Sequence, residues 1–459
     1  MNGAALSFDL VVIGGGSGGL AAAFRAAEHG ARVALLESGE LGGTCVNVGC
    51  VPKKAMWLAA YLAQRMELAR GFGFGVEPGP PDWPRLVASR QGYIAGIHAS
   101  YRRRLDAAGV VSLPSRGRLI DPHLVETADG TRLQGRHVLI ATGGRPHRPD
   151  IPGAALGLVS DDFFQLCAAP ARVAVVGGGY IGVELSGILQ ALGSRVEMFV
   201  RGPCLLDGFD GELSAVLEGN MHQDGIAIHA GYQLAGLVAD ADRDTDGHGV
   251  RMHEAGGDPG GRFDAVLFAT GRVANSGGLG LEALGVATDA RGRILVDDWQ
   301  STSVAGLHAV GDVTDRIGLT PVAIAAARRL MDRLFGGCAD AKLDYRDVPT
   351  VVFAHPPLAS VGLTEAAARA LHGAGDVHCH RAQFRPMLHA LADSNRRSLF
   401  KLVCVGVERR VVGLHLLGEG ADEILQGFAV ALKRGITLAD LHDTIALHPT
   451  SAEEVVLMP

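Results

Sequence analysis

The chain has 459 residues, 47% of them hydrophobic and 20% charged, with a formal net charge of -7. Its length allows about two to four domains with sizeable cores, and its acidity argues against bulk nucleic-acid binding without excluding a local cationic pocket. No apolar run reaches the length of a membrane span, and the opening stretch MNGAALSFDLVVIGGG lacks the pattern of a secretory leader, so a cytoplasmic protein with no membrane partner is expected. There, structural disulfides are uncommon, and a close cysteine pair points to redox or metal chemistry.

The first element begins at Phe8. FDLVVIGGGSGGLAAAFRAAEHGARVALLE reads as an apolar strand, a glycine turn, an alanine-rich helix and a second apolar strand. Gly14 permits the tight turn, Gly16 lets backbone approach a pyrophosphate, and Gly19 lets helix and strand pack closely. Glu37 ends the second strand, where a carboxylate accepts hydrogen bonds from a ribose diol, as FAD or NAD requires. The segment GGTCVNVGCVPKKAMW follows, with Cys45 and Cys50. The strand HVLIATGG ends in glycine at Gly144. A second copy of the opening pattern, ARVAVVGGGYIGVELSGILQALGSRVEMFVR, starts at Ala171 and carries Gly177, Gly179 and Gly182. Its second strand ends in Val200 and Arg201 with no acid, which suits the 2′-phosphate of NADPH. FDAVLFATGR ends at Arg272, and GLHAVGDV places Asp312 just beyond a strand. From about Tyr345 the pattern changes: LFKLVCV and RVVGLHLLG read as antiparallel strands, and ADEILQGFAVALKRG as a helix.

Residues five apart in a regular helix lie about 8 Å apart, too far for a disulfide. Cys45 and Cys50 therefore meet only where the backbone between them is irregular, and Gly49 supplies that freedom. Pro52 suits the first turn of a following helix through KKAMWLAAYLAQ. The dipole of that helix, with Lys53 and Lys54, is expected to lower the thiol pKa values. A metal site lacks a second ligand pair nearby, so no metal is expected. A cycling dithiol beside an electron carrier fits better, with an inert pair of reduced cysteines as the alternative.

GGTCVNVGCVPKK resembles the redox-active centre of the flavoprotein disulfide reductases, and its VPKK ending is closer to the glutathione reductases than to dihydrolipoamide dehydrogenases. GYIGVELSG, ATGR, AVGDV, LTPVAIAAAR, PTVVFAHPP and HPTSAEE extend the resemblance over nearly the whole chain. It implies an α/β fold with two Rossmann-like dinucleotide-binding domains, for FAD and NAD(P), and an α+β C-terminal dimerisation domain. The expected limits are 1–144 and 274–344 for the FAD domain, 145–273 for the NAD(P) domain and 345–459 for the dimer interface.

The implied activity is NADPH-dependent reduction of glutathione disulfide through FAD and a Cys45–Cys50 disulfide. In that scheme Cys50 lies next to the flavin and Cys45 attacks the substrate. His448, oriented by Glu453 and preceding a cis proline bond, serves as acid and base in the partner subunit's site, which makes the homodimer a composite enzyme. Lys53 and Glu184 match an ion pair near the flavin. Gly14, Gly16, Ser17, Gly19, Glu37, Thr44, Lys53, Ala141, Thr142, Gly143, Asp312 and Thr320 match FAD contacts. Gly177, Gly179, Tyr180, Gly182, Glu184, Arg201 and Gly271 match NADPH contacts, Tyr180 as an aromatic lid over the nicotinamide pocket.

Arg25, Tyr101 and Arg328 match substrate contacts, as a carboxylate-rich disulfide needs. Ala21 stands where trypanothione reductase, with a cationic substrate, carries Glu, whereas Phe24 departs from the polar residue usual in glutathione reductases. The coenzyme pattern also departs. Asp207 occupies the place of a second arginine, so NADH remains an alternative, and Gly182 stands where NADPH-dependent members often have Ala. Asp207 either faces the 2′-phosphate or turns outward to cap the helix near FDGELSAV. Two other functions stay open: reduction of another low-molecular-weight disulfide, such as a glutathione derivative, and a flavin redox sensor without turnover.

Overall fold

A computed structural model describes residues 5–77, 79–240, 249–255 and 259–459. The first four residues of the stretch read for a leader lie outside them. The chain divides into two compact units, one of 1–53, 87–147 and 271–345, the other of 54–86, 148–270 and 346–459.

In the first unit, strand Leu6–Ile13 lies at the centre of a seven-stranded sheet. It pairs in parallel with Val33–Leu36 on one side and Arg132–Ile140 on the other. Val111–Leu113 and Leu307–Ala309 extend the parallel part, and Leu124–Thr127 and Gly117–Asp121 add antiparallel strands. The central strands are apolar on both faces because both are covered. Leu10, Val12, Leu35 and Leu139 pack against Ala22, Ala23 and Ala26 of helix Ser17–Glu28 and Ala327 and Leu330 of helix Thr320–Leu334. Val11, Ile13, Ala34, Leu36, Val138 and Ile140 point the other way, against Leu279, Leu281 and Ile294. The alternation is the period-two geometry of strands, and small alanines let the helices approach closely.

The second unit contains a five-stranded parallel sheet, in the order Ala227–Ala230, Arg195–Val200, Arg172–Val176, Ala265–Phe268 and Leu158–Val159. Helix Tyr180–Ala191 follows its central strand. A separate antiparallel sheet runs Thr350–Val352, Leu358–Gly362, Arg410–Leu417, Ser398–Val405 and Val377–Phe384. Helix Ala421–Lys433 covers it through Ala421, Leu425, Ala429 and Leu432. The mixed α/β architecture, with two Rossmann-like parallel sheets and a C-terminal antiparallel one, is the fold that the two glycine fingerprints imply. Lys401 is 1% exposed in this second unit, yet it is fully paired, to Asp210 at 3.0 Å, Glu212 at 3.2 Å and Glu365 at 2.8 Å. Asp210 is also the N-cap of helix Gly211–Gln223, accepting the Glu212 N–H. Capping by Asp207 is thus corrected: the cap falls three residues later, and Asp207 is exposed.

Candidate active site

The site in the first unit starts from the glycine turn. A Cβ on Gly14 would lie 2.4 Å from the Ala141 carbonyl oxygen, and one on Gly19 would lie 1.9 Å from that of Gly14. These positions admit only hydrogen, whereas a Cβ on Gly16 would meet nothing nearer than Gly43 Cα at 3.7 Å. The close contacts press the first turn of helix Ser17–Glu28 onto the sheet and leave its amide end open to an anion. Glu37 Oε2 accepts the Gly15 N–H at 2.7 Å and Oε1 accepts the Gly39 N–H at 2.8 Å, which fixes the carboxylate at the strand end with lone pairs to spare.

A cavity of about 740 Å³ opens here, lined by Gly14, Glu37, Thr44, Thr142, Arg145 and Asn275 among others. Asn275 is held by Thr142, whose hydroxyl donates to the Asn275 carbonyl at 2.8 Å. Arg272 donates to the Gly144 carbonyl at 2.6 Å, reaches the Thr44 hydroxyl at 3.4 Å and lies 3.6 Å from Asp312. It thereby ties three of the chain segments around the groove. Gly143, Gly271 and Gly311 all have positive φ at the ends of strands, which carries the backbone away from the space beside the sheet.

Next to this groove the cysteines meet. Cys45 lies on the single helical turn Gly43–Asn47, and Cys50 opens the long helix Cys50–Ala69. Val48, with φ -143° and ψ 33°, interrupts the helical path, and a Cβ on Gly49 would lie 2.7 Å from the Thr44 carbonyl oxygen. The irregular joint expected from the spacing is therefore present, and it brings the Cys45 thiol within hydrogen-bonding reach of Cys50, Thr320 and Ser17. Thr320 Oγ1 lies 3.6 Å from Cys50 Sγ. Cys45 is half-buried and Cys50 is exposed. One expectation is reversed. The Cys45 thiol is pushed up, not down, first by its hydrogen bond with Cys50 and then by burial. The Cys45 thiol donates to Cys50, and that hydrogen bond favours its protonated form.

Three helices form a second cavity of about 430 Å³ in the same unit. Arg25 and Arg328, both expected at the substrate, line it. Arg25 is engaged by Asp332 at 2.5 Å and Glu28 at 2.9 Å. Tyr101 is half-buried, and burial is the main cause that raises its phenol pKa.

In the second unit the second fingerprint repeats the geometry. A Cβ on Gly177 would lie 2.3 Å from the Ala269 carbonyl oxygen, one on Gly182 2.2 Å from that of Gly177, and one on Gly179 would meet nothing within 4 Å. Tyr180, at the helix start, is 47% exposed. Arg201 and Asp207 are both exposed near the end of strand Arg195–Val200. Glu184 is buried and accepts the Phe353 N–H at 2.8 Å. At the C-terminus, the His448–Pro449 peptide is cis, and Glu453 Oε2 lies 2.8 Å from His448 Nδ1. The hydrogen bond to His448 holds the Glu453 carboxyl below its ordinary range. Oε1 of the same carboxylate accepts the Thr450 N–H at 3.2 Å. The His448 side chain itself is 77% exposed and follows the exposed Ile445 and Leu447 in the chain.

Sequence reading missed Arg272, Asn275 and the remaining cavity arginines Arg104 and Arg329. Only the ATGR motif signalled the first; nothing local marks the others. Among the described residues no group of three His, Cys, Asp or Glu side chains could hold a metal ion, and no helix is long and apolar enough to cross a membrane.

Residues 8–327 match the family described as pyridine nucleotide-disulphide oxidoreductase, and residues 348–459 match its dimerisation domain. Among curated relatives, glutathione reductases from Schizosaccharomyces pombe, Burkholderia cepacia and Yarrowia lipolytica are 43%, 42% and 41% identical to the chain. Each alignment covers 98% of both sequences.

Proposed function

The chain belongs to the pyridine nucleotide-disulphide oxidoreductase family, and we propose that it is a homodimeric, FAD-dependent enzyme that reduces glutathione disulfide with NADPH. The observation that carries this is the Cys45–Cys50 pair, brought into contact beside the groove built by the first fingerprint. FAD and NADPH, when bound, supply a two-electron path that ends in the reduced dithiol. FAD fits the first unit: the open face at Gly16, the ordered Glu37 carboxylate and the Thr44–Arg272–Asp312 set match a pyrophosphate, a ribose and a ribitol. The second fingerprint, with Tyr180 and Arg201, takes the NADPH. Lys53 and Glu184 balance charge near the flavin.

The protein's own groups then carry the disulfide half of the reaction. Cys45 attacks one substrate sulfur, the substrate S–S bond breaks, and the departing thiolate takes a proton. Cys50 next attacks the mixed disulfide at Cys45, releases the second thiol and closes the Cys45–Cys50 bond. Two electrons and two protons end on two glutathione thiols. Because the Cys45 thiol is pushed up, its attack requires a base. His448 of the partner subunit, held by Glu453, takes that proton and returns it to the leaving group. A flavin sensor without turnover would have no use for this pair. The domain limits given above and a reducing, cytoplasmic setting belong to the same reading.

Steady-state turnover with NADPH and NADH, over a panel of disulfides, tests it. Selective turnover of glutathione disulfide with NADPH is expected; failure to reduce it while another disulfide is reduced would replace the substrate.

A further inference from the structure

In the second unit, loop 201–210 joins strand Arg195–Val200 to helix Gly211–Gln223 and carries Arg201 and Asp207 at exposed positions. Its middle is tied to the second glycine turn. The Leu206 N–H donates to the Gly178 carbonyl at 2.8 Å, and the side chains of Leu205 and Leu206 are buried. The backbone there is costly to hold. Leu206 has φ 53°, which L side chains rarely adopt, and Gly208 follows with φ 101°. Such a shape persists only where the surrounding structure fixes it.

The strand fixes one end of the loop, and Asp210 fixes the other. Lys401, from strand Ser398–Val405 of the C-terminal sheet, reaches both oxygens of the buried Asp210 carboxylate at 3.0 Å. The same carboxylate accepts the Glu212 N–H at 3.2 Å and the Glu365 N–H at 3.3 Å. Three donors thus converge on one side chain. Arg381 in turn bridges the carboxylates of Glu212, at 2.6 Å, and Glu365, at 2.7 Å, which both also meet Lys401. A buried lysine among carboxylates gains little stability over well-packed apolar side chains, but it admits one arrangement. Here that arrangement sets where the loop carrying Arg201 must end.

We propose that Lys401 is a positioning residue for the coenzyme: by clamping Asp210 it holds loop 201–210 in the shape that presents Arg201 to the 2′-phosphate of NADPH. The C-terminal sheet thereby contributes to coenzyme choice through a side chain that touches no coenzyme. This rests on the reading of the second fingerprint as the NADPH site, with Arg201 as its phosphate ligand.

The test compares NADPH with NADH as reductants of the holoenzyme, in wild type, Lys401→Met and Asp210→Asn. The asparagine keeps an oxygen to cap helix Gly211–Gln223 and loses the charge that Lys401 grips. In both variants kcat/KM for NADPH should fall about threefold to thirtyfold, the scale of coupling through a packed network. The loss should sit in KM, with kcat at saturating NADPH and kcat/KM for NADH each changed less than about twofold. A general loss of stability would not choose between the coenzymes. In an Arg201→Ala background neither substitution should lower NADPH use further, because a residue that acts through Arg201 has nothing left to position. Asp210→Asn stands in if Lys401→Met disturbs folding, and flavin absorbance and melting temperature report the fold of each. An unchanged preference for NADPH in both variants, an equal fall for both coenzymes, or a loss that adds to that of Arg201→Ala overturns the inference while leaving Arg201 its role. If Arg201→Ala by itself leaves the preference unchanged, the 2′-phosphate reading falls, and this inference with it.

Discussion

Replacing Gly19 by alanine should strip the protein of flavin. Gly19 lies in the first turn of helix Ser17–Glu28, where an added Cβ would stand 1.9 Å from the Gly14 carbonyl oxygen and 3.2 Å from Val12 Cγ1. Cβ atoms do not approach other atoms below 3.0 Å, so the helix start must retreat from the strand by about 1 Å. Backbone against backbone has no rotamer that can yield, which places the cost toward the upper end of the ~1–3 kcal/mol typical of overpacking. The same first turn presents its amides to the pyrophosphate. If ~2–3 kcal/mol falls on the cofactor, FAD binding weakens about 30- to 150-fold. The flavin-to-protein absorbance ratio, titration of apoprotein with FAD, and the melting temperature measure it. Gly96→Ala is the matched control, since a Cβ there meets nothing within 4 Å. Wild-type flavin content and an unchanged melting temperature in Gly19→Ala would refute the close-approach argument.

His448→Ala should lose disulfide reduction by about 10²- to 10⁴-fold, the scale of general acid–base catalysis, and mixing it with Cys45→Ser should restore partial activity. No recovery after demonstrated subunit exchange counts against a site shared between subunits. Arg201→Ala should raise KM for NADPH about tenfold to a hundredfold with NADH little affected, and Asp207→Arg should favour NADPH further; equal effects on both coenzymes reject a 2′-phosphate site. Burial, with repulsion from Arg396 and Lys54, pushes buried His355 down to about 4 from 6.5, so its charged form is favoured by unfolding. Stability is then intact above about pH 6.5 and is lost as pH falls toward 4, by about 2 kcal/mol between pH 7 and pH 5. His355→Phe, which keeps the stack on Trp57, should remove that slope, and an unchanged pH dependence of melting would show that other groups set it.

What the sequence made legible was what one short segment dictates by itself. A strand, three glycines at fixed spacing and an apolar helix leave a chain few ways to fold, and both copies fold that way. His448 and Glu453 are five residues apart and meet where the chain enters the short helix Glu453–Val456. What stayed hidden depends on partners brought from far along the chain. Lys401 and Asp210 are 191 residues apart, and nothing near either shows that the lysine is buried. Phe24 reads as a departure from a substrate pattern until Arg104 is seen above it. Asp207 and Asp210 are alike on paper as helix caps, and the choice between them follows the buried Lys401, which holds Asp210 in place.

The reversal at Cys45 shows why position within an element matters as much as the element. The helix Cys50–Ala69 has its N-terminal amides at Cys50, whereas Cys45 lies upstream on a single turn of its own. A helix dipole falls off within its first turn, so it does not reach across the Val48–Gly49 joint to serve Cys45. Cys45 is instead partly buried and donates to its neighbour. A low-pKa nucleophile would need no help at neutral pH. A thiol that holds its proton needs a base, and it gains by keeping its full nucleophilicity once that proton is removed. The exposed His448, paired with Glu453 and preceded by the exposed Ile445 and Leu447, suits the outward-facing base that the proposed mechanism requires. In the proposed mechanism the raised thiol and the outward histidine are complementary parts, and the dimer is the arrangement that would join them.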